Sequence, residues 1–408
     1  MNTFSNININ DLNYLLPENK IAKYPLDQRD LSKLLIYKDN NILEDVFRNI
    51  SDYLPPDSLI LFNDTKVINA RLLFFKETGA RIEIFCLEPV VPKTYMESLN
   101  SNERCSWKCL VGNSKKWKNG CLYKQIKVND EIVTLKASQI NDYDGSFQIL
   151  FEWDNKNILF SEVLESGGYI PVPPYLNRDS EELDKTRYQT IYSRNDGSVA
   201  APTAGLHFTD EVFDCLKRKN VIVDNITLHV GAGTFKPIKA DKITLHEMHA
   251  ESFRIKKNTI IKMKENAGNI TAVGTTTVRT IESIYQIGLK IINENNTVAN
   301  KFFVDQWEAY KNVDSNFSNA EVLDRIVNWM EKSGYDYLDC LTRIIILPGY
   351  EFKFTDRLIT NFHQPKSTLL LLLAAFTGQA WKDIYKYALD NDFRFLSYGD
   401  SSLIFKNN

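Results

Sequence analysis

Histidine, glycine and threonine are concentrated in a few polar segments of this chain, and these residue types suit proton transfer beside a bound ligand. All five histidines lie between His207 and His363. Histidine titrates near neutral pH and can donate or accept a proton, and glycine lets the backbone approach a ligand closely. The clustering favours one enzyme pocket built from several loops.

The segment PTAGLHFTDE carries Thr203, Gly205 and His207 just before a helix predicted over 210–219 and capped by Thr209. A helix start offers free N–H groups and a partial positive charge. We therefore expect Thr203 and Gly205 to bind substrate and His207 to act as an acid or base. The alternative is a helix-capping turn with a packed histidine.

The segment LHVGAGTFKP follows a predicted strand and contains His229, Gly231 and Gly233. GxGT matches only half of a dinucleotide-binding fingerprint, because position 236 is Lys and Pro237 interrupts the helix that should follow. We reject a Rossmann nucleotide site. The segment is typical of a ligand loop at a strand end, with His229 beside it.

The segment HEMHAE contains His246, His249 and Glu251 but lacks the HExxH spacing of a zinc-binding helix. No second cluster of metal-ligating residues is evident, so the pattern disfavours a metal site. It favours proton transfer by His249 with Glu251 or Glu247. A solvated charged loop is the alternative.

The segment VGTTTVRTIES predicts a strand, a turn and a helix that begins near Thr275 and Thr276. Hydroxyls and free N–H groups at a helix start suit an anionic or ribose-bearing ligand, and Arg279 could assist. Arg279 and Glu282 are also spaced i, i+3, so a plain surface ion pair is the alternative.

Two further segments complete the predicted pocket. Asn361 and His363 end a strand in TNFHQPKST, where Ser367 caps an apolar helix, and the chain has no GxSxG elbow of a serine hydrolase. Asn63 and Asp64 lie at a predicted domain junction, which is a favoured place for a ligand pocket.

The segment SKKWKNG is a basic loop with an aromatic residue. Lys115, Lys116 and Lys118 could contact phosphates while Trp117 stacks on a base. A charged surface hairpin is the alternative.

The composition bounds these interpretations. The chain has 408 residues, long enough for two domains, and a net charge of -3, so nucleic-acid binding needs a local basic patch. Six scattered cysteines without a CxxC pair predict free thiols in a reducing cytoplasm. The first residues show no secretory signal, and the apolar run 369–376 is far below the ~20 residues of a membrane span, so we expect no membrane association.

The predicted fold is an α/β main domain with an inserted small antiparallel β-barrel domain. Residues 1–66 begin the α/β domain, with apolar strands at 34–37 and 58–62. Residues 67–153 form the barrel from short Gly-punctuated strands at 81–87, 107–111, 131–135 and 146–153. Residues 154–408 complete the α/β domain, with strands at 222–230 and 270–274, a helix at 276–287, and strand ends at 344–348 and 358–361.

A helical insertion is predicted near 291–343. Ser318 and Glu321 have capping-box spacing, Val322 and Met330 lie on one apolar face, and Gly334 can terminate the helix predicted over 317–334.

Long ordered segments of the chain resemble the S-adenosylmethionine:tRNA ribosyltransferase-isomerase family of queuosine biosynthesis. The matching segments are IAKYPLDQRDLSKLL, FNDTKVINARL, YIPVPPYLNR, RYQTIYSRNDGSVAAPTAGLHFT, LHVGAGTFKP, HEMHAE, VGTTTVRTIES, LITNFHQPKSTLLLLLAAFTG and FRFLSYGDSSLI. The segments near 291–343 and 89–106 are longer than expected for the family.

The resemblance implies a cytoplasmic transferase and isomerase with an α/β domain and an inserted barrel. Its reaction moves the ribosyl part of S-adenosylmethionine onto 7-aminomethyl-7-deazaguanine at the tRNA wobble position and yields epoxyqueuosine-tRNA, adenine and methionine. S-adenosylmethionine is then a co-substrate, and no cofactor or metal is expected. The partners are tRNA and S-adenosylmethionine, and we expect a monomer.

That chemistry suits the residue types found. Our hypothesis gives proton transfer to His207, His229, His249 and Glu251, and ribose or carboxylate binding to Thr275, Thr276 and Arg279, with Asn361 and His363 completing the pocket. Three alternatives stay open: ribosyl transfer to another acceptor by a divergent paralogue, a non-catalytic RNA-binding module, and a metal-dependent hydrolase.

Overall fold

The structure is a computed structural model, and it describes residues 7–143, 145–231, 238, 242–293, 300–311 and 317–406. The strands, in chain order, are β1 (Lys33–Lys38), β2 (Asn41–Val46), β3 (Leu59–Asn63), β4 (Thr65–Val67), β5 (Arg71–Phe75), β6 (Arg81–Val91), β7 (Arg104–Gly112), β8 (Cys121–Val128), β9 (Glu131–Tyr143), β10 (Ser146–Trp153), β11 (Gly168–Tyr169), β12 (Asn195–Ser198), β13 (Ile222–Leu228), β14 (Glu251–Lys256), β15 (Ile270–Val273), β16 (Lys301–Val304), β17 (Tyr337–Thr342), β18 (Arg357–Asn361) and β19 (Ser401–Phe405). The α-helices are α1 (Ile50–Tyr53), α2 (Tyr95–Leu99), α3 (Phe160–Gly167), α4 (Glu182–Arg187), α5 (Asp210–Arg218), α6 (Lys257–Glu265), α7 (Thr275–Asn293), α8 (Asn319–Ser333), α9 (Thr368–Thr377) and α10 (Trp381–Asp390).

The larger sheet is mixed, with the strand order β16-β17-β14-β13-β3-β15-β18-β19-β1-β2 in the described part of the chain. Its centre is parallel, because β13, β3, β15 and β18 pair in the same direction. Parallel strands buried on both faces consist of near-continuous apolar residues, and every residue of β3, β15 and β18 is buried. Because these strands run in the same direction, their carboxyl ends meet at one edge of the sheet.

The smaller sheet is antiparallel throughout, with the order β11-β5-β6-β7-β10-β9-β8. Alternate residues of its strands face a separate apolar core that contains Trp107, Phe151 and Phe160. The sheet supports the predicted all-antiparallel character of this part of the chain. The strand predicted at 146–153 is confirmed without change, whereas β5 and β8 were not predicted.

Helix α7 runs through the main core, and its residues from Thr275 to Leu289 are all buried. Helix α8 packs against it where Gly288 leaves room, since a Cβ atom there would lie 2.2 Å from Val322. The capping box of α8 is confirmed: Ser318 and Glu321 bond each other's backbone N–H groups, and Gly334 ends the helix in the left-handed conformation. The strand end predicted at 344–348 is wrong, because this segment is buried coil.

Candidate active site

A cavity of about 70 Å³ lies at the carboxyl ends of β15 and β18. Five predicted substrate-binding residues line it: Thr203, Thr275, Thr276, Asn361 and His363. Ligands of parallel sheets bind at this edge of the fold. The volume is below the roughly 300–1,000 Å³ of typical ligand pockets, so a large ligand requires the walls to separate.

A wider surface depression of about 430 Å³ lies elsewhere, beside Tyr350, Lys353 and Phe376. None of the predicted site residues lines it. Because the cavity at the strand ends joins residues from several of the predicted loops, we take that cavity as the candidate active site.

The start of helix α7 forms one wall of the cavity. Gly274 has φ +89°, a left-handed conformation that favours glycine, and it joins β15 directly to the helix. Thr275 and Thr276 follow and line the cavity, at the end of the helix where backbone N–H groups have no helical acceptor. This wall can therefore donate hydrogen bonds to a polar or anionic ligand.

Asn361 and His363 line the cavity at the end of β18, the strand next to β15. Asn361 is buried, and its Oδ1 has no hydrogen-bond partner among the described residues. His363 Nε2 lies 2.9 Å from Thr360 Oγ1, and burial lowers the His363 pKa to about 3. Its backbone is fixed by Tyr385 and Tyr14, which bond its N–H and its carbonyl. His363 is thus a neutral, oriented imidazole at the cavity.

His207 is buried away from the cavity lining, with both ring nitrogens engaged. Its Nε2 lies 3.0 Å from Asn361 Nδ2, and its Nδ1 lies 2.8 Å from Ser32 Oγ. Burial lowers its pKa to about 3. Because both ring nitrogens are engaged and the ring lies outside the cavity lining, the structure favours a positioning role for His207 over the predicted acid or base role.

His229 lies at the contact between the two sheets. Its ring stacks on Tyr95 of α2, with centroids 4.7 Å apart. Gly197 backs the ring, because a Cβ atom there would lie 2.6 Å from His229 Nδ1. Burial lowers the His229 pKa to about 4. The ring does not line the cavity, although the next residue, Val230, does.

The HEMHAE segment is coil that leads into β14. Gln306 holds it, accepting from the Met248 N–H and donating to the His246 carbonyl. Burial, and then the charge of His249, lowers the pKa of His246. His249 is exposed and lies outside the cavity lining.

Glu251 and Arg279 form a buried ion pair, and neither lines the cavity. Arg279 also donates to the Ile344 carbonyl at 3.1 Å, while its Nη2 has no partner among the described residues. The alternative surface pair of Arg279 with Glu282 is wrong. Glu282 is fully buried and instead accepts hydrogen bonds from Tyr350 and from Thr355.

Asn63 and Asp64 make hydrogen bonds that connect elements of the fold. Asn63 makes two 2.9 Å bonds with the backbone of Leu228, one from each end of its amide. Asp64 accepts from the Thr227 hydroxyl at 2.6 Å. The prediction that these residues bind substrate therefore lacks support from their position: they tie β3 to the end of β13.

The three predicted glycines have different surroundings. Gly205 is a packing residue, since a Cβ atom there would lie 1.8 Å from Tyr192 Oη. No described residue lies within 4 Å of the position that a Cβ atom at Gly231 would take. Gly233 lies outside the described residues.

The basic loop of the smaller sheet differs from its prediction. Lys115, Lys116 and Lys118 are exposed, as phosphate contacts require. Trp117 is only 1% exposed and donates its indole N–H to the Gly120 carbonyl at 3.1 Å. Stacking of Trp117 on a base is therefore wrong for this structure, because the ring is packed in the core of the sheet.

Several residues that line the cavity were not predicted as site residues, among them Thr360, Tyr175, Ser397 and Leu396. Tyr175 and Ser397 are joined through their hydroxyls at 2.5 Å. Leu396 adopts φ 71°, which is rare for a residue with a branched side chain and is often found at functional sites. The segments YIPVPPYLNR and FRFLSYGDSSLI contain the last three, so the resemblance pointed to the segments without singling out the residues.

The described residues contain neither a metal-binding cluster nor a membrane-spanning helix. No group of three His, Cys, Asp or Glu side chains in them is arranged to hold a metal ion. Likewise, none of the described helices combines the length and apolarity needed to cross a membrane.

Comparison with known proteins gives consistent matches along the chain. The sequence model of the family described as queuosine biosynthesis protein matches residues 9–404. The S-adenosylmethionine:tRNA ribosyltransferase-isomerase of Trichlorobacter lovleyi is 36% identical, over 97% of this chain and 99% of that protein. The protein of the same name from Finegoldia magna is 38% identical, over 98% of each chain. A crystal structure of S-adenosylmethionine tRNA ribosyltransferase from Thermotoga maritima aligns with TM-score 0.46 and 28% identity, over 97% of this chain and 100% of that one.

Proposed function

The chain belongs to the queuosine biosynthesis protein family, and from that premise we propose that it is an S-adenosylmethionine:tRNA ribosyltransferase-isomerase. It transfers and isomerises the ribosyl moiety of S-adenosylmethionine onto 7-aminomethyl-7-deazaguanine at the tRNA wobble position. The products are epoxyqueuosine-tRNA, adenine and methionine. Its substrates are thus a tRNA and S-adenosylmethionine.

The structural observation that carries the proposal is the cavity at the strand ends. It combines a helix start with two hydroxyls, at Thr275 and Thr276, and a buried acceptor, Asn361 Oδ1, that has no partner among the described residues. Ribose and adenine present both hydrogen-bond donors and acceptors, so a site that offers both can hold them. Arg279 acts from behind this wall, where its bond with Glu251 fixes helix α7 against β14.

Proton transfer in this proposal is assigned to His363. The reaction needs a base, because the sulfonium acidifies the neighbouring C5′ protons, and an acid, because adenine must leave. Of the five histidines, all of which the structure describes, only His363 lines the cavity. Its neutral form can accept a proton, and the Thr360 hydroxyl at 2.9 Å orients the ring. His207 and His229 then position segments around the site through their contacts with Asn361 and Tyr95.

The remaining features of the proposal concern organisation. We assign residues 1–66 and 154–408 to an α/β domain and 67–153 to an inserted barrel domain, with a helical insertion near 291–343. We further propose a cytoplasmic monomer that needs no cofactor or metal beyond its co-substrate. The exposed Lys115, Lys116 and Lys118 remain candidates for tRNA contact.

The test is adenine release from S-adenosylmethionine incubated with the protein and tRNA that carries 7-aminomethyl-7-deazaguanine. We expect adenine together with an epoxyqueuosine nucleoside in the digested tRNA. Adenine without tRNA modification would contradict the acceptor. No adenine from folded protein would contradict the reaction.

A further inference from the structure

Hydrogen bonds from two arginines hold the segments 26–29 and 187–189 together. Arg29 donates from Nη1 to the carbonyl of Gln189 at 3.1 Å. In the opposite direction, Arg187 donates from Nη1 to the carbonyl of Asp27 at 3.0 Å and from Nη2 to the carbonyl of Leu26. The two guanidinium groups are therefore brought together by reciprocal bonds.

The pair is not neutralised within the described part of the chain. Neither Arg29 nor Arg187 has a carboxylate within ion-pair distance there, and Arg187 Nε is buried without a hydrogen-bond partner. Burial, and then the charge of Arg187, lowers the pKa of Arg29. Nearby Arg178 differs, because Asp184 binds it through two bonds of 2.8 Å. Two adjacent cations without a counter-charge repel each other, so an anion placed between them is favoured.

Buried aromatic side chains connect the arginine pair to the lining of the cavity. Tyr188, between Arg187 and Gln189 in the chain, is fully buried and packs edge-on against Tyr398 at 5.8 Å. Tyr398 follows Ser397, which lines the cavity. An anion bound by the arginines would therefore be attached close to whatever occupies the active site.

We propose that Arg29 and Arg187 together bind a backbone phosphate of the RNA substrate beside the active-site cavity. The inference rests on the proposed function, which supplies a polyanionic substrate to this site. Guanidinium groups match phosphate oxygens in planar, bidentate geometry, and phosphate contacts fix the register of a nucleic acid on a protein. The pair thus sets where the reacting nucleotide enters.

Salt dependence of tRNA binding tests the proposal. Each phosphate contact contributes a slope of about −0.7 to −0.9 to the logarithm of affinity against the logarithm of salt concentration. The Arg187→Gln variant should bind the tRNA more weakly at low salt and show a slope reduced by about one. Arg187→Lys, which keeps the charge, should retain the wild-type slope.

The matched control is the double variant Lys217→Gln with Arg218→Gln, on the exposed end of helix α5. It removes two positive charges outside the arginine pair and should leave the slope unchanged. An Arg187→Gln slope equal to that of the wild type, with thermal unfolding unchanged, would overturn the proposal. A lowered melting temperature of Arg187→Gln with an unchanged slope would overturn the proposal too, because Arg187 would then stabilise the fold without contacting RNA.

Two further measurements distinguish failure of the phosphate site from failure of the proposed function. Millimolar inorganic phosphate that abolishes the difference between wild type and Arg187→Gln supports a phosphate site. A difference that persists unchanged in phosphate contradicts it. The proposed function fails separately, when the wild-type protein neither binds the tRNA nor releases adenine.

Discussion

The side-chain amide of Asn361 determines which nitrogen of His207 carries the proton. Asn361 Nδ2 donates to the carbonyl of Asp400 at 3.3 Å, and a carbonyl only accepts, so the orientation of the amide is fixed. The second N–H of this amide then donates to His207 Nε2 at 3.0 Å. The His207 proton therefore sits on Nδ1 and is donated to Ser32. This chain of bonds leaves Asn361 Oδ1 as an acceptor without a partner among the residues that the structure describes.

Loss of the His363 imidazole should remove proton transfer without emptying the site. The His363→Gln variant should release adenine at least about 100-fold more slowly, the low end for loss of a general acid or base. Single-turnover chromatography of adenine measures the rate, and calorimetry with S-adenosylmethionine checks binding. A normal rate in His363→Gln together with a slow rate in His249→Gln would return the role to the HEMHAE segment.

Acid should destabilise the protein through its buried histidines. The folded-state pKa values of His207 and His363 are about 3, below the ordinary value of 6.5, so the unfolded chain binds more protons in this window. Stability is complete above about pH 6.5 and falls as the pH drops toward 3, with up to about 1.4 kcal/mol per pH unit for each histidine. Urea unfolding at pH 7, 6 and 5 measures the slope. His207→Asn should reduce that slope, and an equal slope in the variant would contradict burial of the neutral ring.

Breaking the ion pair between Arg279 and Glu251 should strongly destabilise the main domain. Removing one partner leaves an uncompensated buried charge, which costs about 3–5 kcal/mol. We expect this loss for Arg279→Met in urea unfolding. The exposed pair of Lys386 and Asp390 is the control, since its disruption by Lys386→Met should cost only about 0–1 kcal/mol. A similar small cost for both variants would show that Arg279 is not buried with its partner.

The close approach at Gly205 predicts a second-site rescue. Gly205→Ala should destabilise the protein by about 1–3 kcal/mol, because the added Cβ atom meets Tyr192 Oη at 1.8 Å. Tyr192→Phe removes that oxygen and should restore part of the loss in the double variant, while the ring carbon at 2.9 Å limits the recovery. If the losses of stability of the two single variants simply add up in the double variant, as measured by thermal unfolding, the contact between Gly205 and Tyr192 is contradicted.

Local patterns in the sequence determined much of the fold. Alternating apolar residues gave the strand at 146–153, and Ser318, Glu321 and Gly334 located helix α8, because these signals act within a few residues of each other. The strand β8 was missed since Lys124 occupies an inward-facing position between Leu122 and Ile126 and interrupts the apolar alternation. The coil at 344–348 is as apolar as a strand, but only tertiary contacts decide whether such a segment pairs.

The site was predictable as a set of segments but not in its roles. Thr275, Asn361 and His363 were identified because strand ends and helix starts place them at one edge of a parallel sheet. The choice among histidines depends on burial and on partners far along the chain. His207 meets Asn361 across 154 residues, and Arg279 meets Glu251 across 28. No local spacing records such partnerships.

The stacking of Tyr95 on His229 joins helix α2, beside the smaller sheet, to the end of a central strand of the larger sheet. A chimera that exchanges residues 67–153 with those of a relative would therefore put a foreign residue against His229. Such grafts should function only when positions 95, 197 and 229 are exchanged as one unit. For protein engineering, these three positions should be transferred together whenever the smaller sheet is exchanged.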